Sequence, residues 1–332
     1  SNLINDEAQT KKIISILKDD FKLYESNEET IKRQVVLSKL KVLIKEFVYE
    51  VGLKKGISQD ECKYGGNIYA FGSYRLGVHA PGSDIDVLFV APNYIDRHKD
   101  FFGGFLDKLK GSSDITELCD VSGAHVPVIK MKFCDIPIDL VFANIHFKLS
   151  QENIDLQDDN ILINCDKESI LSLNGSRVTD MILSLVPNLE DFFVTLKAIK
   201  IWAKLRGLYS NAFGYLGGIN YAILVAKICQ LNPKMRPNKL LEEFFLRFST
   251  WKFEKEPVTL KDIVKDKGFK VELDVFNPDN PKVSFQMAIV TPAFPAFNST
   301  HNVSDTTKKI MLKELEYSYN VIKQINEGQL TW

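Results

Sequence analysis

Asp84 and Asp86, at the mouth of the apolar run Val87–Val90, are the residues of this chain best suited to chemistry. In a strand, side chains at i and i+2 share a face, so both carboxylates point the same way. They repel unless a cation sits between them. Hard oxygen ligands with no histidine or cysteine nearby favour magnesium or manganese over zinc. Asp139, in the otherwise apolar stretch Ile136–Ala143, supplies a third carboxylate. A charge inside a buried strand is costly unless it is paired or metal-bound. Three carboxylates on adjacent strand edges suit two metals roughly 4 Å apart, one activating an attacking hydroxyl and one steadying a leaving oxygen. The plainer account makes Asp84 and Asp86 a turn-and-cap pair and Asp139 a surface edge residue. Gly72-Ser73 upstream weighs against it, because glycine permits close backbone approach and N–H groups with a serine hydroxyl can meet phosphate oxygens. Asp135, at a predicted turn, is read as structural. There is neither a Walker loop nor a GxGxxG opening a helix after a strand.

Further along, Lys197, Lys200 and Lys204 recur at i, i+3 and i+7, one face of a helix. Lys200 and Lys204 can neutralise triphosphate oxygens; a solvated lysine stripe gives the same pattern. Gly207–Asn211 and Gly214–Ile219 follow. Tyr209 offers a ring on which a base can stack, Asn211 an amide for a ribose hydroxyl, and Gly217-Gly218 a backbone that a base edge can approach. A helix cap with tight helix packing uses the same residues and is compatible with both readings.

The elements that must hold these groups are legible in outline. Residues 29–50 predict an amphipathic helix, with Val36, Leu40, Leu43 and Phe47 at 3–4 spacing. Asp84–Val90 predicts a strand, and 125–133 with 136–143 a hairpin turning near Cys134-Asp135. A helix is expected at 100–110, so the whole reads as a mixed sheet with helices on at least one face. Residues 150–187 are polar and weakly periodic, with Gln157–Asn160 and Asn174–Ser176 as turn signals, and predict a long connection into a domain boundary. Helices follow at 189–206, 218–230 and 240–248, then a proline-rich stretch at 278–295 and a helix at 306–328.

At 332 residues, two domains are the prior. A net charge of −1 neither suggests nor excludes a nucleic-acid partner, since a local basic patch can hold a polyanion. Five dispersed cysteines without a CxxC pair argue against a zinc site or disulfide framework and for a reducing compartment. No segment approaches the roughly 18–20 apolar residues of a membrane helix, so no membrane partner is expected.

These pieces, in this order, resemble the eukaryotic poly(A) polymerase family within the DNA-polymerase-β-like nucleotidyltransferases. The resemblance rests on Phe71–Asp86, Ile138-Asp139-Leu140, Ile199–Lys204, Leu208–Gly218, and Thr291–Phe294 with Asn298–Ser304. It implies an α+β fold: a nucleotidyltransferase domain over 15–186, and a mainly helical central domain over 1–14 and 187–332, with nucleotide and primer end in the cleft between them. It implies ligation of two Mg²⁺ or Mn²⁺ ions by Asp84, Asp86 and Asp139, and ATP contacts from Phe71, Gly72, Ser73, Ala80 and Ile85. Phosphate contacts from Lys200 and Lys204, further nucleotide contacts from Tyr209 and Asn211, and an adenine pocket at Gly218-Ile219 complete the set. Ala80 stands where some members carry a hydroxyl, leaving only a backbone contact, and Ile219 where valine is more common. The implied activity is template-independent addition of AMP from ATP to RNA 3′ ends, in the nucleus, by a monomer working with mRNA 3′-processing factors. A uridylyl- or CCA-adding enzyme and a catalytically silent RNA-processing scaffold are the alternatives. The family carries a further RNA-recognition-motif-like domain after the Asn298–Ser304 region; with the chain ending at Trp332, that domain is expected to be absent or truncated.

Overall fold

The computed structural model describes residues 2–146, 154–269 and 273–332. Along the chain lie α1 (Asn2–Ser15), α2 (Asn27–Lys54), α3 (Gln59–Cys62), β1 (Asn67–Phe71), α4 (Gly72–Arg75), β2 (Ile85–Pro92), α5 (Leu106–Lys110), β3 (Ile115–Val121), β4 (Val128–Phe133), β5 (Ile136–Ile145), α6 (Lys167–Leu185), α7 (Leu189–Leu205), α8 (Gly218–Leu231), α9 (Pro237–Thr250) and α10 (Asp305–Asn326). The chain divides into two compact units. One comprises residues 25–180 with 268–272; the other comprises 1–24, 181–267 and 273–332.

In the first unit, five strands among the described residues form one sheet in the order β1-β2-β5-β4-β3. Only β2 and β5 run parallel; every other neighbouring pair is antiparallel. The expected mixed sheet is therefore present. The β4–β5 turn puts Cys134 and Asp135 both at left-handed φ (46° and 66°), the requirement of a two-residue turn that follows the strands' twist. Ile85, Val87 and Phe89 of β2 alternate onto one face and meet Ile138, Leu140 and Phe142 of β5 there. Val36, Leu40, Ile44, Phe47 and Val48 of α2 close over that core. Asp86 and Asp139, one step out of phase with these residues, are consigned to the opposite face.

Two strands escaped the sequence reading. Asn67-Ile-Tyr-Ala-Phe71 lacks alternation and follows glycines. Ile115–Val121 is an edge strand with a register shift between Thr116 and Cys119 and a left-handed Glu117. The long connection predicted over 150–187 is corrected: residues 150–153 lie outside the described set, but Lys167–Leu185 is one helix. Ile170, Leu173, Val178 and Ile182 are buried along it. Asn174-Gly-Ser176, read as a turn, sits mid-helix because packing outweighs the local glycine cost of about 1 kcal/mol.

The second unit is helical. Phe244, Phe245 and Phe248 of α9 form its aromatic core with Trp251 and Phe253, and the Trp202 ring of α7 packs on Phe245. Trp202 also donates from Nε1 to Ser318 Oγ of α10 at 2.8 Å. The proline-rich stretch is extended and tied by short bridges, with Val258 N–H donating to Ala288 C=O and Val290 N–H to Val258 C=O. No helix among the described residues is long and apolar enough to cross a membrane.

Leu40, fully buried on α2, anchors the first unit's core. Leu40→Ala is expected to lower that unit's unfolding free energy by about 2–5 kcal/mol, read from urea denaturation.

Candidate active site

β2 carries Ile85 and Asp86, and Asp84 lies just before the strand, which starts one residue later than its sequence predicts. Parallel pairing makes Asp86 and Asp139 direct register partners. On the other side, antiparallel pairing sets Phe71 opposite Asp86, which delivers Gly72 to the same strand end. Gly72 has φ +65°, and a Cβ there would lie 2.3 Å from Asp86 Oδ2. Glycine is required twice, by the left-handed backbone and by the carboxylate pressed against it.

The third neighbour was not anticipated. Lys130 of β4 is the register partner of Asp139 and donates from Nζ to Asp139 Oδ2 at 2.7 Å. The ammonium is held above its ordinary pKa, first by that hydrogen bond and then, against a cost of burial, by the charges of Asp139, Asp84 and Asp86. Lys130 thus lies in the field of all three carboxylates. Among the described residues no three acidic, His or Cys side chains are gathered as a metal-ligand set as they stand. Lys130 occupies one Asp139 oxygen, and a lysine ammonium attracted by three carboxylates marks a place that favours positive charge. The oxygen-only donors fit a hard divalent ion. Lys130 was missed because it reads as an ordinary outward residue of the hairpin.

α6 buttresses this corner. A Cβ on Gly175 would lie 2.7 Å from the Phe71 ring, so the mid-helix glycine lets that ring lie on the helix. One turn on, Thr179 Oγ1 accepts from the Gly72 N–H at 3.2 Å and donates to Gly175 C=O at 2.8 Å. The Gly72 amide is therefore engaged with Thr179 rather than free for phosphate. Neighbouring Asn174 has a buried Oδ1 with no hydrogen-bond partner. Ser73 and Ala80 are half-buried, and Ala80 C=O accepts from Ser83 N–H at 3.1 Å. The Ile85 side chain is core, fully buried on the α2 face, which leaves only its backbone on the aspartate side.

The remaining predicted residues belong to the second unit. The lysine stripe is not uniform. Lys197 is buried, with its ammonium 3.5 Å from the Tyr24 ring centroid, whereas Lys200 is half-buried and Lys204 exposed. Lys204 Nζ stands 5.1 Å from the Tyr209 ring centroid. The Tyr209 ring also stacks on Tyr221, with centroids 5.8 Å apart and planes 10° apart. These contacts use the ring as packing, so the expectation of Tyr209 as an open stacking platform is replaced by a ring already stacked. Burial raises its pKa, so the hydroxyl stays protonated at neutral pH. Gly218 makes room for that hydroxyl, which would lie 2.8 Å from a Cβ there. Asn211 Oδ1 is buried without a hydrogen-bond partner, and Ile219 is half-buried in the first turn of α8.

Asn220 was missed, although it ties this loop together. Its Oδ1 accepts from the Gly217 N–H at 2.7 Å, and its Nδ2 donates to Ser299 Oγ at 2.6 Å. Asn302 Nδ2 donates to Asn211 C=O at 3.4 Å. The Asn298–Ser304 segment therefore supports the Asn211–Gly218 turn.

The fold and this arrangement define a nucleotidyltransferase domain joined to a helical domain. Residues 4–186 match the family described as the poly(A) polymerase nucleotidyltransferase domain, and residues 191–332 the poly(A) polymerase central domain. The chain belongs to the poly(A) polymerase family. It is 45% identical over 314 residues to a poly(A) polymerase of Dictyostelium discoideum, covering 94% of this chain and 38% of that protein. It is 41% identical over 313 residues to nuclear poly(A) polymerase 4 of Arabidopsis thaliana, covering 93% and 42%. It is 42% identical over 317 residues to nuclear poly(A) polymerase 1 of the same plant, covering 94% and 44%. The chain thus spans less than half the length of these curated relatives. Among solved structures it is similar in fold to Cid1, described as having RNA terminal uridylyl transferase activity, with TM-score 0.63, 15% identity and coverage of 98% and 96%. A cytoplasmic RNA terminal U-transferase gives TM-score 0.62, 15% identity and coverage of 95% and 93%.

Removing the Asn220 side chain leaves the Gly217 amide and the Ser299 hydroxyl without this partner. Asn220→Ala is expected to destabilise the helical unit by about 1–3 kcal/mol in chemical denaturation.

Proposed function

We propose that this chain carries out template-independent transfer of AMP from ATP to RNA 3′ ends. The observation that carries the reading is the register pairing of Asp86 with Asp139 on one sheet face. Adenylyl rather than uridylyl transfer is supported by relatives named poly(A) polymerases at 41–45% identity, against 15% for the terminal uridylyl transferase Cid1.

Asp84, Asp86 and Asp139 would hold Mg²⁺ or Mn²⁺, with Asp139 released from Lys130. The ions, when bound, would make the primer 3′-hydroxyl a better nucleophile and neutralise charge on the departing pyrophosphate. The chain's own residues orient and stabilise charge, which is most of what phosphoryl-type transfer asks of a protein. Gly72 and Ser73 let the backbone come close to the triphosphate, with the Ser73 hydroxyl as donor. The Lys130 ammonium offers its charge to a phosphate once a cation satisfies Asp139. In the helical unit, Lys200 and Lys204 supply positive charge for phosphate. The Tyr209 hydroxyl and the partnerless Asn211 Oδ1 offer a donor and an acceptor to a nucleotide. Ile219 and the backbone at Gly218 suit a flat base edge.

The kinship with nuclear poly(A) polymerases of Arabidopsis supports action in the nucleus, and the proposal includes work beside mRNA 3′-processing factors as a monomer. The domain limits we propose are those of the sequence reading, 15–186 against 1–14 with 187–332.

Primer extension with each of the four nucleotides separately tests the reading. ATP is expected to extend an unstructured RNA primer without template; preferential incorporation of UTP, or no extension with any nucleotide, would overturn it.

A further inference from the structure

The loop from Leu76 to Ser83 joins the Gly72–Arg75 turn to Asp84, so its position sets Asp84 relative to Asp86, which strand pairing holds beside Phe71 and Asp139. It is gripped by the first turns of α2 through a buried charge cluster in the same unit. Arg33 is fully buried and donates from Nε to Glu25 Oε2 at 2.9 Å and from Nη2 to Glu29 Oε1 at 3.0 Å. Its guanidinium carbon lies 6.0 Å from the ring centroid of Tyr74, the residue after Ser73.

Each glutamate then reaches the loop. Glu29 Oε1 accepts from the Gly82 N–H at 2.8 Å, two residues before Asp84. Glu25 Oε1 stands 2.8 Å from His79 Nε2, in ion-pair range without hydrogen-bond alignment, and the His79 ring packs on Tyr74 with centroids 5.1 Å apart. Burial alone would raise the Glu25 carboxyl, but contacts from His79 and Thr30 and the charges of His79 and Arg33 hold it below its ordinary value.

Glu29 also departs from the habit of its position. Ser26 caps α2, its Oγ accepting from the Glu29 N–H at 3.2 Å, so Glu29 is the third residue of the helix. A glutamate there commonly folds back on the cap residue's own amide. Here it reaches out to Gly82 and Arg33 instead. A buried arginine with two carboxylates is costly to assemble and often no more stabilising than apolar packing. Its use here is geometric, since it ties one short loop at two points, His79 and Gly82.

We propose that Glu29, locked by Arg33, is a positioning residue for the metal site, holding the Gly82–Asp84 backbone so that Asp84 meets a divalent ion together with the strand-held Asp86 and Asp139. This rests on the metal reading of the three aspartates given above.

Mn²⁺ binding to the chain, followed by electron paramagnetic resonance without ATP or RNA, separates the two. Wild type is expected to bind and Asp86→Ala to lose binding; equal binding by these two would overturn the metal reading and this proposal with it. Given that contrast, Glu29→Ala is expected to weaken Mn²⁺ by about tenfold, the low end of the cost of losing a direct outer partner of a metal ligand, because Glu29 acts through the Gly82 backbone. Glu28→Gln, at an exposed neighbour, removes a charge from the same turn and is expected to leave affinity unchanged. Glu29→Gln keeps an acceptor for Gly82 N–H and is expected to fall between; it decides the matter if Glu29→Ala fails to fold. In elongation assays the Glu29 variants should regain rate as Mg²⁺ is raised while circular dichroism shows them folded without metal, so the rescue is not refolding by bound ion. Wild-type Mn²⁺ affinity in both Glu29 variants, or in Glu29→Gln alone if the alanine variant does not fold, would overturn the proposal.

Discussion

Two carboxylates set side by side on parallel strands repel each other, and the sheet-bearing unit is arranged around that repulsion. Asp86 and Asp139 are register neighbours on β2 and β5, and Asp84 lies just before β2, near enough for its charge to act on Lys130. Such a pair persists only beside positive charge. Lys130 supplies it on Asp139 through a 2.7 Å bond and feels all three aspartates. The core on the other face of the sheet makes the arrangement hard to escape. Slipping β2 by one residue would put Asp86 against α2 and Val87 outside.

Neighbouring parts serve the same corner. Gly72 lies so close to Asp86 Oδ2 that any side chain would clash, and Thr179 holds the Gly72 amide in place. Gly175 accommodates the Phe71 ring on α6, and Glu29 holds Gly82 from α2. Two elements distant in sequence, α2 and α6, therefore constrain one short stretch of backbone. The helical unit shows the same economy on a smaller scale, with Asn220 joining the start of α8 to Ser299.

How much of this was legible in the sequence depended on the range of the interaction. The i, i+2 aspartates, the apolar run after them and the 3–4 periodicity of α2 are local patterns, and they led to the strand, the helix and the candidate ligands. That Asp139 joins Asp84 and Asp86 was expected from a lone carboxylate in an apolar strand and from the family resemblance, but its register opposite Asp86 was not readable, because strand pairing is a tertiary fact. Lys130 was invisible for the same reason. Asn174-Gly-Ser176 misled because glycine usually marks a turn, whereas here the missing Cβ admits the Phe71 ring into a helix face. Tyr209 looked like an open ring because nothing local announces that Tyr221 stacks on it.

Asp139→Asn tests most directly the proposed role of the Asp86–Asp139 pair in holding the ions, because it keeps the shape and removes the charge. At saturating ATP and Mg²⁺, RNA primer elongation should fall by about 10³-fold, corresponding to about 4 kcal/mol of lost transition-state stabilisation, with the fold intact by circular dichroism. Elongation within tenfold of wild type would contradict the account.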